Sequence, residues 1–193
     1  MHASRTDTVL IIIDMVQDYF NADLWPGSRI PEERGRLVEN INALSSQLRA
    51  FDVPVIWFRQ EFLPDLSDAF QHMRRDNRRY AIKGTAGPLL LPELDIAEDD
   101  VVLVKKRYSA FYGTVLDDVL RKMNAQTLVL AGITSAWCVK STAVDAYQRD
   151  YQLIFAKECM AGFSEKEHLD AVESMHSLLG PALTNGEIVE LFD

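Results

Sequence analysis

Positive charge is scarce in this chain, cysteines are few, and no apolar run is long; each shortage removes a class of function. Against 29 Asp and Glu stand 20 Lys and Arg, leaving a net charge of -9 and a pI near 4.9. Nucleic acids and anionic membrane surfaces both require a basic footprint, so neither is an expected partner. Small molecules and further copies of the chain are. No apolar stretch approaches the roughly 20 residues of a membrane-spanning helix, and residues 1–7 carry no apolar signal-peptide core, so a cytoplasmic location is expected. Two cysteines, Cys138 and Cys159, make no disulfide framework and are expected as free thiols. Gly-x-Gly-x-x-Gly is missing after the first apolar run, where Asp14-Met15-Val16-Gln17-Asp18 stands instead. That excludes the usual dinucleotide fingerprint.

What the chain does have is apolar content, 48% over 193 residues, enough for one sizeable core. A single domain over residues 1–193 is the expectation. Short apolar runs read as six strands: Thr8 to Ile13, Val53 to Phe58, Val101 to Val104, Thr127 to Ala131, Gln152 to Ala156 and Glu187 to Leu191. Most are continuous Val/Ile/Leu runs, as expected of strands covered by helices on both faces. Helical spacing links them: Leu37, Ile41, Leu44 and Leu48 before the second run, and Val115, Leu116, Val119, Leu120 and Met123 before the fourth. Ser164 and Glu167 form a capping-box signature ahead of Leu169, Val172, Met175 and Leu179. The alternation predicts an α/β fold, a three-layer α/β/α sandwich around a six-stranded, mostly parallel sheet.

Residues 60–100 fit that alternation worst. They hold Asp65 and Asp68, a basic cluster (Arg74, Arg75, Arg78, Arg79) and the punctuation Gly84, Gly87, Pro88 and Pro92. A long irregular insertion reads as a lid or binding loop, or equally as a subunit contact; its arginines read as a solvated helix face rather than an anion site.

Three runs deliver one reactive residue each at the strand's carboxyl end: Asp14, Lys105 and Cys138. In an open parallel sheet those ends converge on one crevice. A cysteine at the first turn of a helix meets the helix N-terminus, which favours thiolate. A cysteine hydrolase needs a nucleophile, a proton acceptor, an organising cation and oxyanion donors. Cys138, Asp14 and Lys105 offer the first three, and the backbone N–H groups of Thr134 and Cys138 the last. Each has an ordinary alternative: a core thiol, a helix cap, a surface lysine. It is their shared strand-end placement that favours chemistry.

The segments 14–19 (Asp-Met-Val-Gln-Asp-Tyr), 104–116 (Val-Lys-Lys-Arg-Tyr-Ser-Ala-Phe-Tyr-Gly-Thr-Val-Leu) and 132–143 (Gly-Ile-Thr-Ser-Ala-Trp-Cys-Val-Lys-Ser-Thr-Ala) resemble the three motifs of isochorismatase-like cysteine hydrolases, relatives of nicotinamidases, N-carbamoylsarcosine amidohydrolases and ureidoacrylate hydrolases. The resemblance spans essentially the whole chain. It implies a Rossmann-like sandwich, an Asp14-Lys105-Cys138 triad with Lys105 chosen over its neighbour Lys106 by motif alignment, and a cis peptide at Ile133–Thr134. It further implies hydrolysis of a C–N bond through a thioester, and a dimer or tetramer.

Val16 and Ala136 depart from the polar residues usual in the family, which bears on substrate contacts. The Asp-x-His pair by which nicotinamidases of this family hold a metal has no counterpart in Phe58 to Asp65, and His2, His72, His168 and His176 do not reproduce the spacing. No metal and no cofactor are therefore expected, and His168 and His176 read as a solvated helix face. Candidate pocket residues are Tyr19, Trp25, Gln60, Tyr108, Phe111 and Trp137; Tyr108 and Phe111 are alternatively core, and Trp137 alternatively a subunit contact. The expected substrate is a small amide, ureido or carbamoyl compound. The competing readings are vinyl-ether hydrolysis of the isochorismatase type and a non-catalytic binding or redox-sensing role.

Overall fold

A computed structural model describes residues 7–192; residues 1–6, with His2, and Asp193 lie outside the described residues. Six strands form one sheet: β1 (Thr8–Ile13), β2 (Val55–Gln60), β3 (Val101–Lys105), β4 (Thr127–Ile133), β5 (Gln152–Ala161) and β6 (Ala182–Leu183). Their order is β3-β2-β1-β4-β5-β6, and every pairing among the described residues is parallel. The order runs outward in both directions from the β1/β4 pair, so the carboxyl ends of these two strands flank the crevice where connections leave for opposite sides.

Successive side chains of a strand face opposite ways, and β1 divides its apolar residues accordingly. Leu10 and Ile12 join one buried cluster, with Leu37, Ile41, Leu44 and Leu48 of α1 (Ile30–Arg49) and Ile188 of α6 (Asn185–Val189). Val9, Ile11 and Ile13 join the other. There they meet Leu116 and Leu120 of α3 (Leu116–Lys122), Ala143 and Ala146 of α4 (Lys140–Tyr147), and Met175 of α5 (Glu165–Leu178). A helix layer therefore covers each face. Helix α1 starts with a proline in its first turn beside Glu32 and Glu33 and ends on Arg49, an arrangement that complements its dipole.

The structure moves several boundaries. Pro54 has no N–H to give a ladder, and β2 begins after it, at Val55. Strands β3, β4 and β5 run on to Lys105, Ile133 and Ala161, which carries residues 105 and 133 into the sheet. As the edge strand, β3 leaves Val102 and Val104 exposed. The run Glu187 to Leu191 is not a strand. Thr184 and Glu187 form a reciprocal capping box that opens α6, and buried Ile188 and Phe192 recur at the helical spacing. The sixth strand is the two-residue Ala182–Leu183, paired with Phe155 and Ala156. At Ser164 only half of the expected box forms: its hydroxyl accepts from the Glu167 N–H, while the Glu167 carboxylate turns to the N–H of Phe163.

Residues 60–100 contain one short helix, α2 (Gln71–Asp76), and otherwise irregular chain with its own apolar anchors, Phe62, Leu66, Ala69, Met73, Tyr80, Ile82 and Leu91. A bridge at Phe62–Ile82 folds it on itself, and a bridge at Val16–Leu90 with a bond from the Ala81 N–H to Asp18 Oδ2 (2.7 Å) holds it across the segment that follows β1. No described helix is long and apolar enough to cross a membrane.

Candidate active site

Asp14 is the first residue beyond β1, and Cys138 lies in a π-helical turn, Ser135–Val139, just beyond β4. These strands are neighbours, so sheet order alone brings carboxylate and thiol together. Gly132 allows the close approach: its φ is +102°, and a Cβ there would stand 2.1 Å from the Ile13 carbonyl oxygen. Asp14 itself takes φ 55°, a region aspartate tolerates better than most residues, while its N–H donates to Phe58 O (2.8 Å). The Ile133–Thr134 peptide is cis. Thr134 O then accepts from the N–H groups of Trp137 and Val139 (3.2 and 3.1 Å), which fixes the turn. Thr142 Oγ1 donates to Cys138 O (2.8 Å) and accepts from the Ala110 N–H (3.0 Å), tying the thiol's turn to the segment after β3.

Lys105 ends β3, and its side chain is fully buried. Its ammonium forms an ion pair with Asp14 Oδ2 at 2.5 Å and donates to Arg107 O at 3.0 Å and to Cys138 Sγ at 3.4 Å. Lys106 points elsewhere, to Asp68 (3.0 Å) and to the Glu61 carbonyl, so geometry selects Lys105 as the lysine of this cluster. Burial alone would lower the Lys105 pKa, but the charges of Asp14 and Cys138 outweigh it and hold it above the usual range. Burial pushes Asp14 up, against the pull of Lys105. The thiol does not behave as its helix-start position suggests: burial pushes Cys138 up to about 12, Lys105 draws it down, and Asp14 raises it further. Burial thus works against charge on both Asp14 and the thiol, and Lys105 works for it on both.

Above the thiol is a cavity of about 220 Å³ lined by Tyr19, Trp25, His72, Arg78, Tyr80, Tyr108, Thr134, Trp137, Cys138 and Phe163. Its walls are flat and aromatic. Trp25 stacks on Tyr19 (5.4 Å, 22°) and on Phe163 (5.1 Å, 29°), and meets Tyr80 edge-on at 4.9 Å. Tyr108 tilts against Trp137 at 5.5 Å. Burial raises the pKa of Tyr19, Tyr80 and Tyr108, so their phenols keep their protons. The Thr134 hydroxyl is buried without a hydrogen-bond partner, on the cavity wall.

Of the six pocket candidates, Tyr19, Trp25, Tyr108 and Trp137 line the cavity. Gln60 stands one layer behind, accepting at 2.5 Å from the Tyr19 hydroxyl, with its own Nε2 buried and unpartnered. Phe111 is corrected from pocket wall to its core alternative: it does not line the cavity but packs with Leu116, Leu120 and Ala143, stacked on Tyr151 and capped by Arg149 at 4.5 Å. His168 is also corrected, from solvated face to half-buried contact, since its Nδ1 lies 3.1 Å from Ser135 Oγ. Missing from the expected list were His72, Arg78, Tyr80 and Phe163, which lie in irregular chain or in the short α2, where no periodicity marks them. The one available signal was Arg78 in the basic cluster. Among the described residues, no three His, Cys, Asp or Glu side chains gather where one ion could be held, and Glu61 and Asp68 are engaged by Arg59 (2.6 Å) and Lys106 (3.0 Å).

Comparison with known proteins places the chain in a family and a fold. A family model described as the isochorismatase domain matches residues 8–187. A ureidoacrylate amidohydrolase of Methylorubrum extorquens is 36% identical over 164 residues, covering 75% of this chain and 65% of that protein; the chain thus spans slightly less than two thirds of that curated relative. An isochorismatase family protein of Desulfovibrio vulgaris superposes with a TM-score of 0.85 at 27% identity, over 97% of this chain and 98% of the other. An N-carbamoylsarcosine amidase from Thermoplasma acidophilum does so with 0.76 at 26%, over 93% and 96%.

Proposed function

The chain belongs to the isochorismatase-domain hydrolase family, and from that premise we propose that it hydrolyses the C–N bond of a small amide, ureido or carbamoyl compound, with Cys138 as nucleophile, Asp14 as proton carrier and Lys105 as the fixed cation. One observation carries this reading: Cys138 Sγ lies 3.4 Å from the Lys105 ammonium, which lies 2.5 Å from Asp14 Oδ2, beneath a cavity sized for a small molecule. Relatives named for ureidoacrylate and N-carbamoylsarcosine hydrolysis support the substrate class.

The chemistry follows from the resting protonation. A thiol held near 12 is a poor nucleophile until a substrate carbonyl sits over it, when attack and loss of the proton to Asp14 proceed together. Sulfur bonds to the carbonyl carbon, and the carbonyl electron pair moves to oxygen. The backbone N–H groups of Thr134 and Cys138 receive that oxyanion. Lys105 stays charged and offsets the negative charge shared by sulfur and carboxylate. As the tetrahedral species collapses, the C–N bond breaks and Asp14 returns its proton to the leaving nitrogen, freeing ammonia or an amine. Water then attacks the thioester, Asp14 takes its proton, and the thiol is regenerated as the acid or carbamate departs.

The test is ammonia release from a panel of amides and ureides, wild type beside Cys138→Ala, with and without chelator. Cys138-dependent release that resists chelation is the expected result. Pyruvate release from isochorismate by the Cys138→Ala protein would overturn it in favour of vinyl-ether cleavage.

A further inference from the structure

Arg78 stands apart from the protein's other described arginines. Arg29, Arg34, Arg36, Arg49, Arg59, Arg75, Arg121 and Arg149 are each within 4.0 Å of a carboxylate. Arg74, Arg79 and Arg107 donate to backbone carbonyls. The Arg78 guanidinium instead lies over the Trp25 ring, 5.4 Å from its centroid, and neither an ion pair nor a side-chain hydrogen bond engages it among the described residues. Five N–H donors in a planar fork are left to face the cavity.

Its position is equally specific. Arg78, Trp25 and Phe163 line the cavity above Cys138 and also a shallow outer groove with Leu24, Pro26 and Ser28. Arg78 therefore stands where the cavity opens to solvent, while Cys138 forms its floor. Among the described residues no aspartate or glutamate lines the cavity. In a protein of net charge -9 the general field repels anions, so an unpaired cation at the mouth of an acid-free aromatic slot is a local reversal of sign.

Resting on the amide-hydrolysis reading, we propose that the preferred substrate is a small amide or ureide that also bears a carboxylate, held by the Arg78 guanidinium at the mouth while its scissile carbonyl reaches Cys138. A planar fork meets a carboxylate through two parallel hydrogen bonds, and the aromatic wall that Tyr19, Trp25 and Phe163 give the cavity offers the flat amide a surface to lie against. Arg78 is thus a specificity-determining residue, and the carboxylate it binds is never the group that reacts.

The test uses N-carbamoyl-β-alanine and its methyl ester, which differ only in the anion. Wild type is expected to favour the free acid by about tenfold or more in kcat/KM. In Arg78→Ala this preference falls toward one, mainly through the KM of the acid; in Arg78→Lys, which keeps the charge and loses the fork, it is intermediate. A preference that survives Arg78→Ala, or a wild type that takes ester and acid equally, overturns the proposal. Binding to Cys138→Ala, followed by tryptophan fluorescence, separates this from the hydrolysis reading. If wild type releases no ammonia from either compound, the hydrolysis reading fails for this class. Acid-selective binding lost in Cys138→Ala/Arg78→Ala still upholds the anion site, and binding without acid selectivity removes it.

Discussion

The floor of the cavity and its walls are built on different principles. Asp14, Lys105 and Cys138 each sit at or just past the end of a strand, are essentially inaccessible, and are linked by polar contacts of 2.5 to 3.4 Å. Trp25, Trp137 and Phe163 come from three different connections and Arg78 and Tyr80 from a fourth, several are partly exposed, and they meet chiefly ring against ring. The sheet therefore fixes the reacting groups to the tolerance of a hydrogen bond, whereas the loops present a surface that tolerates adjustment. Chemistry belongs to the rigid part and substrate choice to the adjustable part.

If that division holds, floor variants lose rate and wall variants lose affinity. Cys138→Ala should lower kcat by more than about 10⁴-fold with the fold intact, checked by ammonia release and circular dichroism. Asp14→Asn should lower it by about 10³-fold yet have the opposite effect on thiol reactivity. The Asp14 charge raises the Cys138 pKa and Lys105 lowers it, so removing the carboxylate while keeping the ammonium lowers the thiol pKa. Iodoacetamide should then alkylate Cys138 faster at pH 8 than in wild type; slower alkylation would show that Asp14 does not face the thiol as a charge. Gly132→Ala tests what brings floor residues together. A Cβ 2.1 Å from Ile13 O at φ +102° should cost about 3 kcal/mol or more, read as a lower urea midpoint. On the wall, Trp25→Ala should raise KM by about tenfold with a much smaller change in kcat. A collapse of kcat comparable to that of Asp14→Asn would break the division.

The same contrast explains what was legible in the sequence. Strand runs of Val, Ile and Leu announce themselves, and a charged or sulfur-bearing residue at the end of such a run is visible because the run is uniform. Asp14 and Lys105 stand out that way and Cys138 by its place at a helix start beyond such a run; the choice of Lys105 over Lys106 rests on the family resemblance, and parallel order makes the meeting of the three an expectation. The wall offers no such signal, because Arg78, Tyr80 and Phe163 lie in connections with no period, and their convergence depends on loop paths fixed by contacts such as Ala81 N–H to Asp18. The run Glu187 to Leu191 shows the limit within regular structure. Five residues rich in Ile, Val and Leu fit a strand or a helix, and only the Thr184 cap decides for the helix. The state of the thiol was likewise hidden, since a helix N-terminus is visible in sequence and the depth of burial that overrides it is not.

The smallest effect concerns the two cysteines, one on the floor and one in the core. Burial pushes both Cys138 and Cys159 up to about 12, although Cys159 has only Asn185 Oδ1 at 3.2 Å for a partner. From about pH 9 upward the unfolded thiols lose protons that the folded ones keep. The unfolded state then binds fewer protons, so stability must fall as pH rises. Near pH 10 each thiol should account for about 1 kcal/mol of that loss. Urea unfolding between pH 8 and pH 10 should therefore show a shallower decline in Cys159→Ala and, by a similar amount, in Cys138→Ala. Equal slopes in wild type and both variants would mean that neither thiol titrates as buried. Equal relief by the two substitutions would mean that burial makes these sulfurs alike, and that the reactivity of Cys138 is conferred by Lys105 and Asp14 rather than by its own acidity.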